Sequence, residues 1–365
     1  MPKFVVETRD AEVAEGVGTC SLMSLLSLPY STVAERFKEA AFDLKETIVM
    51  KTWRLSGGCV NDFTLYTGSL GTAFLLFKAY QVTHNRNDLN LCSEIVMACD
   101  SASQGSGNMT FVIGRAGVCA LGAVAAKLAG DERLLHHYVT QFQEIQLPED
   151  VPNELFYGRG GFLWAYSFLN KHIGKVTIPS TCTGKVVSEV MKDGRRLSEK
   201  GRCPLIYEWN GKQHWGAAHG LPGIMHVLMD MELKPDEQED IKGTLSYMIK
   251  NRFPSGNYLS NEGNEADCFM HWCHGASGIA LTLVKAAEVF GDKEFLQAAV
   301  DAGEVVWNRG LLKRVGLCHA QKLISEGEMH GGDQPYSLFE GIGGMAYLFL
   351  DMIVPYEARF PAYEF

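Results

Sequence analysis

A glycine pair spaced G-x-x-G and followed by an apolar run recurs along this chain, and no other feature limits its fold as strongly. The pairs are Gly68/Gly71, Gly114/Gly117, Gly158/Gly161, Gly220/Gly223, Gly275/Gly278 and Gly341/Gly344. Their first glycines lie 46, 44, 62, 55 and 66 residues apart. Self-similarity at such a period marks a fold of stacked supersecondary units. The last interval is wide enough to hide a further copy. Gly316-Leu317-Cys318-His319-Ala320 stands there, with alanine where a seventh glycine belongs.

Thirteen residues after the second glycine comes a turn-like residue: His84, Gly130, Gly174, Asp236 and Gly291. Between pair and turn the residues are apolar nearly all round, as in 118–128, 162–169 and 279–287, and a helix without a polar face belongs inside. An amphipathic helix follows each turn. In one copy Phe295, Ala299, Ala302 and Val306 form its stripe, with Asp292 as N-cap and Gly310 as the stop. Inner helix, turn and outer helix, repeated, describe an all-α chain, either an open solenoid or a closed α/α toroid. A solenoid needs polar terminal repeats, and none is evident. The uniformly apolar inner helices favour closure, so the expected fold is an α/α toroid on a seven-repeat plan with every glycine pair at one mouth. Residues 1–31 read as an N-terminal arm and 32–365 as a single toroid domain, opened by an amphipathic helix from Thr32 to Trp53. The longer, more polar stretches 171–215 and 251–270 read as loops over one face.

A hydrophobic content of 46% with 21% charged residues supplies a large core. The net charge of −10 offers nothing to a phosphate backbone, which excludes nucleic acid as the main partner. Ten cysteines without dense spacing fit a reducing compartment. No apolar run approaches the ~18–20 residues of a membrane span, and no basic-then-apolar signal opens the chain. The expectation is a cytoplasmic protein, at most peripheral at the plasma membrane.

If the repeats are equivalent, the residues just before each first glycine converge at the mouth. They are Thr67, Ile113, Tyr157, His219, His274, His319 and Glu340, of which the last four are titratable. One position earlier stand Cys273 and Cys318. Cys273, Cys318 and His319 are donor types that zinc prefers, and three protein ligands with an open fourth position form the catalytic arrangement. The same residues also read as buried apolar cysteines with histidines at helix starts. His274 is a fourth ligand or a group behind Cys273. His219, without a neighbouring cysteine, is a candidate general acid or base, or a histidine held by its own turn. A toroidal glycosidase would need two carboxylates across the mouth, and these positions offer only Glu340.

Ala217-Ala218-His219-Gly220, Trp272-Cys273-His274-Gly275, Gly316-Leu317-Cys318-His319, Ser337-Leu338-Phe339-Glu340-Gly341 and Ala358-Arg359-Phe360-Pro361-Ala362-Tyr363-Glu364 resemble the eukaryotic LanC-like proteins, relatives of the bacterial lanthionine cyclases. The resemblance runs from about Leu65 onward. It implies a seven-repeat toroid with Zn2+ on Cys273, Cys318 and His319, and His219 as the proton-transfer residue. His274 is placed beside the substrate, and Arg314 is the nearest basic group for the carboxylates of glutathione. The implied activity is zinc-dependent addition of a thiol, glutathione, to dehydroalanine or dehydrobutyrine residues of peptides or proteins, forming a thioether.

One departure accompanies the resemblance. The family continues its Cys-His motif with Gly-x-x-Gly and a helical hairpin, whereas here Ala320-Gln321-Lys322-Leu323 follows and Gly341 comes only 21 residues after Ala320. Most of the sixth helical pair is missing, as if a segment had been removed between His319 and Ala320. Neighbouring inner helices are expected to lose apolar cover. This opens an alternative, a non-catalytic protein that binds glutathione or docks kinases and other signalling proteins.

Overall fold

The glycine pairs start helices where their spacing places them. The computed structural model describes residues 28–174, 177–198, 203–268, 270–311 and 334–365. In chain order the helices are α1 (Tyr30–Val49), α2 (Ser69–Thr83), α3 (Arg86–Ala102), α4 (Arg115–Ala129), α5 (Glu132–Gln143) and α6 (Arg159–His172). They continue with α7 (Thr181–Ser198), α8 (Leu221–Leu228), α9 (Pro235–Lys250), α10 (Ala276–Phe290), α11 (Lys293–Val306) and α12 (Ile342–Asp351). The even-numbered helices each begin one residue after a first glycine and form the inner layer. α4 is buried without interruption from Arg115 to Ala126, as an inner helix with no polar face must be. Among the described residues only two isolated β-bridges occur. No helix among them is long and apolar enough to cross a membrane.

Turns and caps follow the local chemistry. His84, Gly130 and Gly291 end their helices in the left-handed conformation. The side chains of Asn85, Asp131 and Asp292 cap the outer helices that follow, accepting from Asn87, Leu134 and Glu294 at 2.9–3.0 Å. Three expectations are corrected. Asp236 is not a turn residue, because α8 ends at Leu228 and Pro235 opens α9, where Glu237 accepts from the Lys234 amide at 2.9 Å. Gly310 does not stop the outer helix; the chain passes from α11 into a π turn, Trp307–Leu311. The stretch 171–215 is not only loop. It contains α7, whose Val187, Val190 and Met191 are buried and whose Gly194 lies under Tyr207.

One hydrogen bond recurs at the start of the inner helices. The first helical amide donates to the carbonyl seven residues earlier: Ser69 to Asp62 (2.8 Å), Arg115 to Asn108 (3.0 Å), Arg159 to Pro152 (2.9 Å), Leu221 to His214 (3.1 Å) and Ile342 to Pro335 (2.9 Å). This folds the preceding segment into a closed loop, and the second glycine of the pair backs directly onto it. A Cβ at Gly117, Gly161 or Gly223 would sit 1.9–2.0 Å from the carbonyl oxygen of Phe111, Leu155 or Ala217. Adjacent loops are bonded in series, Leu65 N–H to Val112 O, Phe111 N–H to Gly161 O and Leu155 N–H to Ala218 O, at 2.8–3.3 Å. The result is a rim of loops at one mouth.

The ring closes where α12 meets α1 and α2. Phe349 stacks on Phe37 at 5.5 Å and Tyr347 on Phe74 at 6.0 Å. Beneath them Lys78 and Asp351 form a buried ion pair. The axis is filled by the last residues of the chain. Tyr363 is fully buried, with its carbonyl accepting from Trp164 Nε1 on α6 and its hydroxyl paired with Thr282 Oγ1 on α10 at 2.6 Å. Its ring lies on His226 of α8 at 4.1 Å.

One sector differs. α10 leaves Val284 and Val289 at 40% and 49% exposure, although the inner helices α2 and α4 bury nearly every residue over their first three turns. Beside it Trp272, Leu281, Val306, Trp307 and Phe360 line an open apolar cleft of about 330 Å³. This sector follows α10 and α11, where the missing helical pair was expected.

Because Tyr363 contacts three inner helices, Tyr363→Ala is expected to destabilise the fold by about 3–5 kcal/mol. Tyr363→Phe should cost only about 1 kcal/mol, since Thr282 Oγ1 also donates to Pro222 O. Equilibrium denaturation of the two variants checks both values.

Candidate active site at the ring mouth

Four of the six rim loops carry a side-chain acceptor four residues before the first glycine. Thr64 and Thr110 accept from the amides of Thr67 and Ile113 at 3.4 Å, and Ser337 accepts from Glu340 at 3.1 Å. In the third loop this position is Glu154. Its Oε1 accepts from Tyr157 N–H at 2.6 Å, and its Oε2 from Phe156 N–H at 2.7 Å. A carboxylate has acceptor capacity beyond what the loop consumes, and Oε2 also lies 2.7 Å from His219 Nδ1 in the fourth loop. Glu154 is 1% exposed, so its carboxylate is shielded from water.

A carboxylate only accepts, so Nδ1 of His219 carries the proton and Nε2 is the nitrogen left to exchange one. The imidazole is further held by stacking. Trp209 lies on it at 4.1 Å and 6°, and Tyr157 lies nearly parallel at 6.2 Å. Trp209 is presented by a tight hairpin in which Asn210 and Gly211 both have positive φ and Trp209 bridges to Lys212. A histidine with one nitrogen tied to a buried carboxylate and its plane fixed by an indole is arranged for proton transfer.

His214 lies between His219 and His274, with ring centroids 6.1 and 6.2 Å away. Burial, and then the neighbouring imidazoles, lower the proton affinity of His274 and His214 below the usual histidine range. Cys273 is half-buried and not in a disulfide, and burial pushes its thiol up. Tyr66 reaches the same area from the first loop and stacks on Phe339 at 5.1 Å. Its hydroxyl is pushed up to about 12 by burial, then by the charge and hydrogen bond of Glu340, with Cys273 adding to the effect. The first, third, fourth, fifth and last described loops therefore face one another.

Of the residues singled out in the sequence, His219, His274 and Cys273 stand together at this mouth. Arg314, Cys318 and His319 lie outside the described residues. Among the described residues no group of three or more His, Cys, Asp or Glu side chains could hold a metal ion. What they contribute to the expected ligand set is one accessible thiol of zinc-binding type, flanked by imidazoles, and this fits the expected metal. Glu154, Trp209 and His214 were not anticipated. Superposing the loops by register would have singled out Glu154, which occupies a position held by Thr64, Thr110 and Ser337 in three other loops.

Comparison with known proteins bears on this site. The family model described as lanthionine synthetase C-like protein matches residues 60–319 and 320–365, in two pieces that meet between His319 and Ala320. The LanC-like protein GCL1 of Arabidopsis thaliana is 38% identical over 395 aligned positions, covering 93% of this chain and 90% of the relative. That alignment is longer than the chain itself. The glutathione S-transferase LANCL1 of Danio rerio is 32% identical over 347 positions, covering 83% and 85%. Among solved structures nisin cyclase superposes with a TM-score of 0.60 over 87% of this chain and 95% of its own, at 15% identity, which establishes the α/α toroid as the shared fold.

The fourth and fifth loops touch at Gly216, where a Cβ would stand 1.6 Å from the Cys273 carbonyl oxygen. Gly216→Ala is therefore expected to destabilise the protein by about 1–3 kcal/mol. Gly184→Ala, in α7 with nothing within 4 Å of an added Cβ, should instead stabilise it by about 0.5–1 kcal/mol. Thermal melts of the two variants should move in opposite directions.

Proposed function

The chain belongs to the lanthionine synthetase C-like family, and we propose that it adds the thiol of glutathione to dehydroalanine or dehydrobutyrine residues in peptides or proteins. The observation that carries this reading is the Glu154–His219 pair under Trp209, set beside Cys273 at the mouth. Zn2+ held by Cys273, with Cys318 and His319, would bind the sulfur and lower its pKa, supplying a thiolate near neutral pH.

The chain's own residues account for the rest of the reaction. Sulfur forms a bond to the β-carbon of the dehydroamino acid, the carbon–carbon π bond breaks, and its electron pair moves to the α-carbon as an enolate. That carbon needs a proton. His219 delivers it from Nε2, and Glu154 stabilises the imidazolium that precedes delivery. In the opposite direction the same imidazole can take the thiol proton. The aromatic wall of Tyr157, Trp209 and Trp272 offers apolar contact to a peptide, and His274 lies beside the reacting sulfur. Arg314 is the proposed partner of a glutathione carboxylate. Glutathione as substrate fits a reducing, cytoplasmic setting.

A second reading, a non-catalytic protein that binds glutathione or docks signalling proteins, is favoured by the interrupted family match between His319 and Ala320.

Incubation with glutathione and a dehydrobutyrine peptide, followed by mass spectrometry, is expected to show the thioether adduct. Cys273→Ala and Cys318→Ala should abolish it and release zinc. Glu154→Gln should lower the rate by about 100-fold or more while retaining zinc. Glutathione binding without adduct in the unmodified protein would overturn the enzymatic reading in favour of the second.

A further inference from the structure

The loop that carries Cys273 is closed differently from the others. Elsewhere on the rim the first helical amide bonds to backbone of its own loop, with first glycines at φ between −100° and −128°. In this copy Gly275 takes φ +95°, and the first amide of α10, Ala276 N–H, donates to Asn257 Oδ1 at 2.9 Å. Asn257 belongs to a separate segment, nineteen residues earlier, and both Asn257 and Ala276 are fully buried.

Asn257 is itself held. Its Nδ2 donates to Asp267 Oδ1 at 2.7 Å, and Ser255 Oγ donates to Asp267 Oδ2 at 2.6 Å. The two oxygens of Asp267 also receive the fork of Arg309, Nη1 to Oδ1 at 2.7 Å and Nη2 to Oδ2 at 2.9 Å. Such a bidentate guanidinium–carboxylate pair is strong and specific in direction. Arg309 lies in the π turn after α11. A relay therefore runs from the π turn through Asp267 and Asn257 to the amide three residues beyond Cys273. Each oxygen of Asp267 takes two donors, so its carboxylate is fully used.

We propose that Asp267, locked by Arg309, is a positioning residue for the Cys273 thiol: through Asn257 it sets the start of α10 and hence the geometry in which Cys273 meets a metal. The inference rests on the zinc reading above for its consequence, but the relay exists without the ion. Residues that orient ligands from behind typically alter metal affinity by about 10–100-fold when replaced. Arg309→Lys keeps the charge and loses the fork, which makes it the milder variant.

The test uses the full chain. Hydrogen exchange of the Ala276 amide in metal-free protein should quicken at least about tenfold in Asp267→Asn, less in Arg309→Lys, with α4 unchanged as the control. Titration with Co2+, followed by its thiolate absorption and visible bands, should show affinity falling about 10–100-fold in Asp267→Asn with weakened bands. Asp267→Glu, which restores a carboxylate, should recover part of both signals. Unchanged exchange at Ala276 in Asp267→Asn, or quickened exchange with cobalt affinity and spectrum preserved, would overturn the proposal. Failure of the unmodified protein to take up Co2+ would instead overturn the zinc reading, and the exchange data would still decide whether the relay holds the loop.

Discussion

A single backbone hydrogen bond, from the first amide of an inner helix to the carbonyl seven residues behind it, organises this molecule. It turns the approach to five of the six inner helices into a closed loop. It also uses one of the amides that a helix start leaves unpaired. The second glycine of each pair is required because the carbonyl it faces leaves no room for a methyl group. Repetition of this unit makes a rim, and the rim brings side chains from distant parts of the chain into one small space. The chemistry is thus gathered by main-chain geometry, with helices serving as supports.

Much of this was legible beforehand, for physical reasons. Glycine pairs announce close approach, and all-round apolar runs such as 118–128 can only be interior. Left-handed caps at Gly130 and Gly291 mark helix ends. Legibility failed where pattern and chemistry parted. α8 is a short helix of eight residues, so a fixed spacing overshot into Pro235 and α9. The polar composition of 171–215 concealed α7, whose buried stripe of Val187, Val190 and Met191 is narrow. Gly310 stands in a π turn, and a glycine alone does not tell a stop from a widened turn.

At the mouth, His219 and His274 were singled out because they share a register position, and Cys273 because it stands one position earlier. Glu154 was overlooked because it stands four residues before its glycine and resembles an ordinary loop acid. Its role follows from a substitution of type within the repeat: where hydroxyls serve Thr67, Ile113 and Glu340, a carboxylate serves Tyr157 and has an oxygen to share with His219. Trp209 arrives from a hairpin outside the repeated unit, so no register argument could have reached it, whereas His214 stands seven residues before Leu221, where the other loops carry Asp62, Asn108, Pro152 and Pro335.

The contact of α1 with α12 has a consequence for how the molecule comes apart. Phe37 and Phe349 are separated by most of the chain, yet their stacking joins the two ends of the circle. Contacts between such remote segments carry the greatest loop-closure entropy and form late in folding. The same seam is accordingly the natural place for transient opening, at which the bracelet unclasps before its hairpins melt.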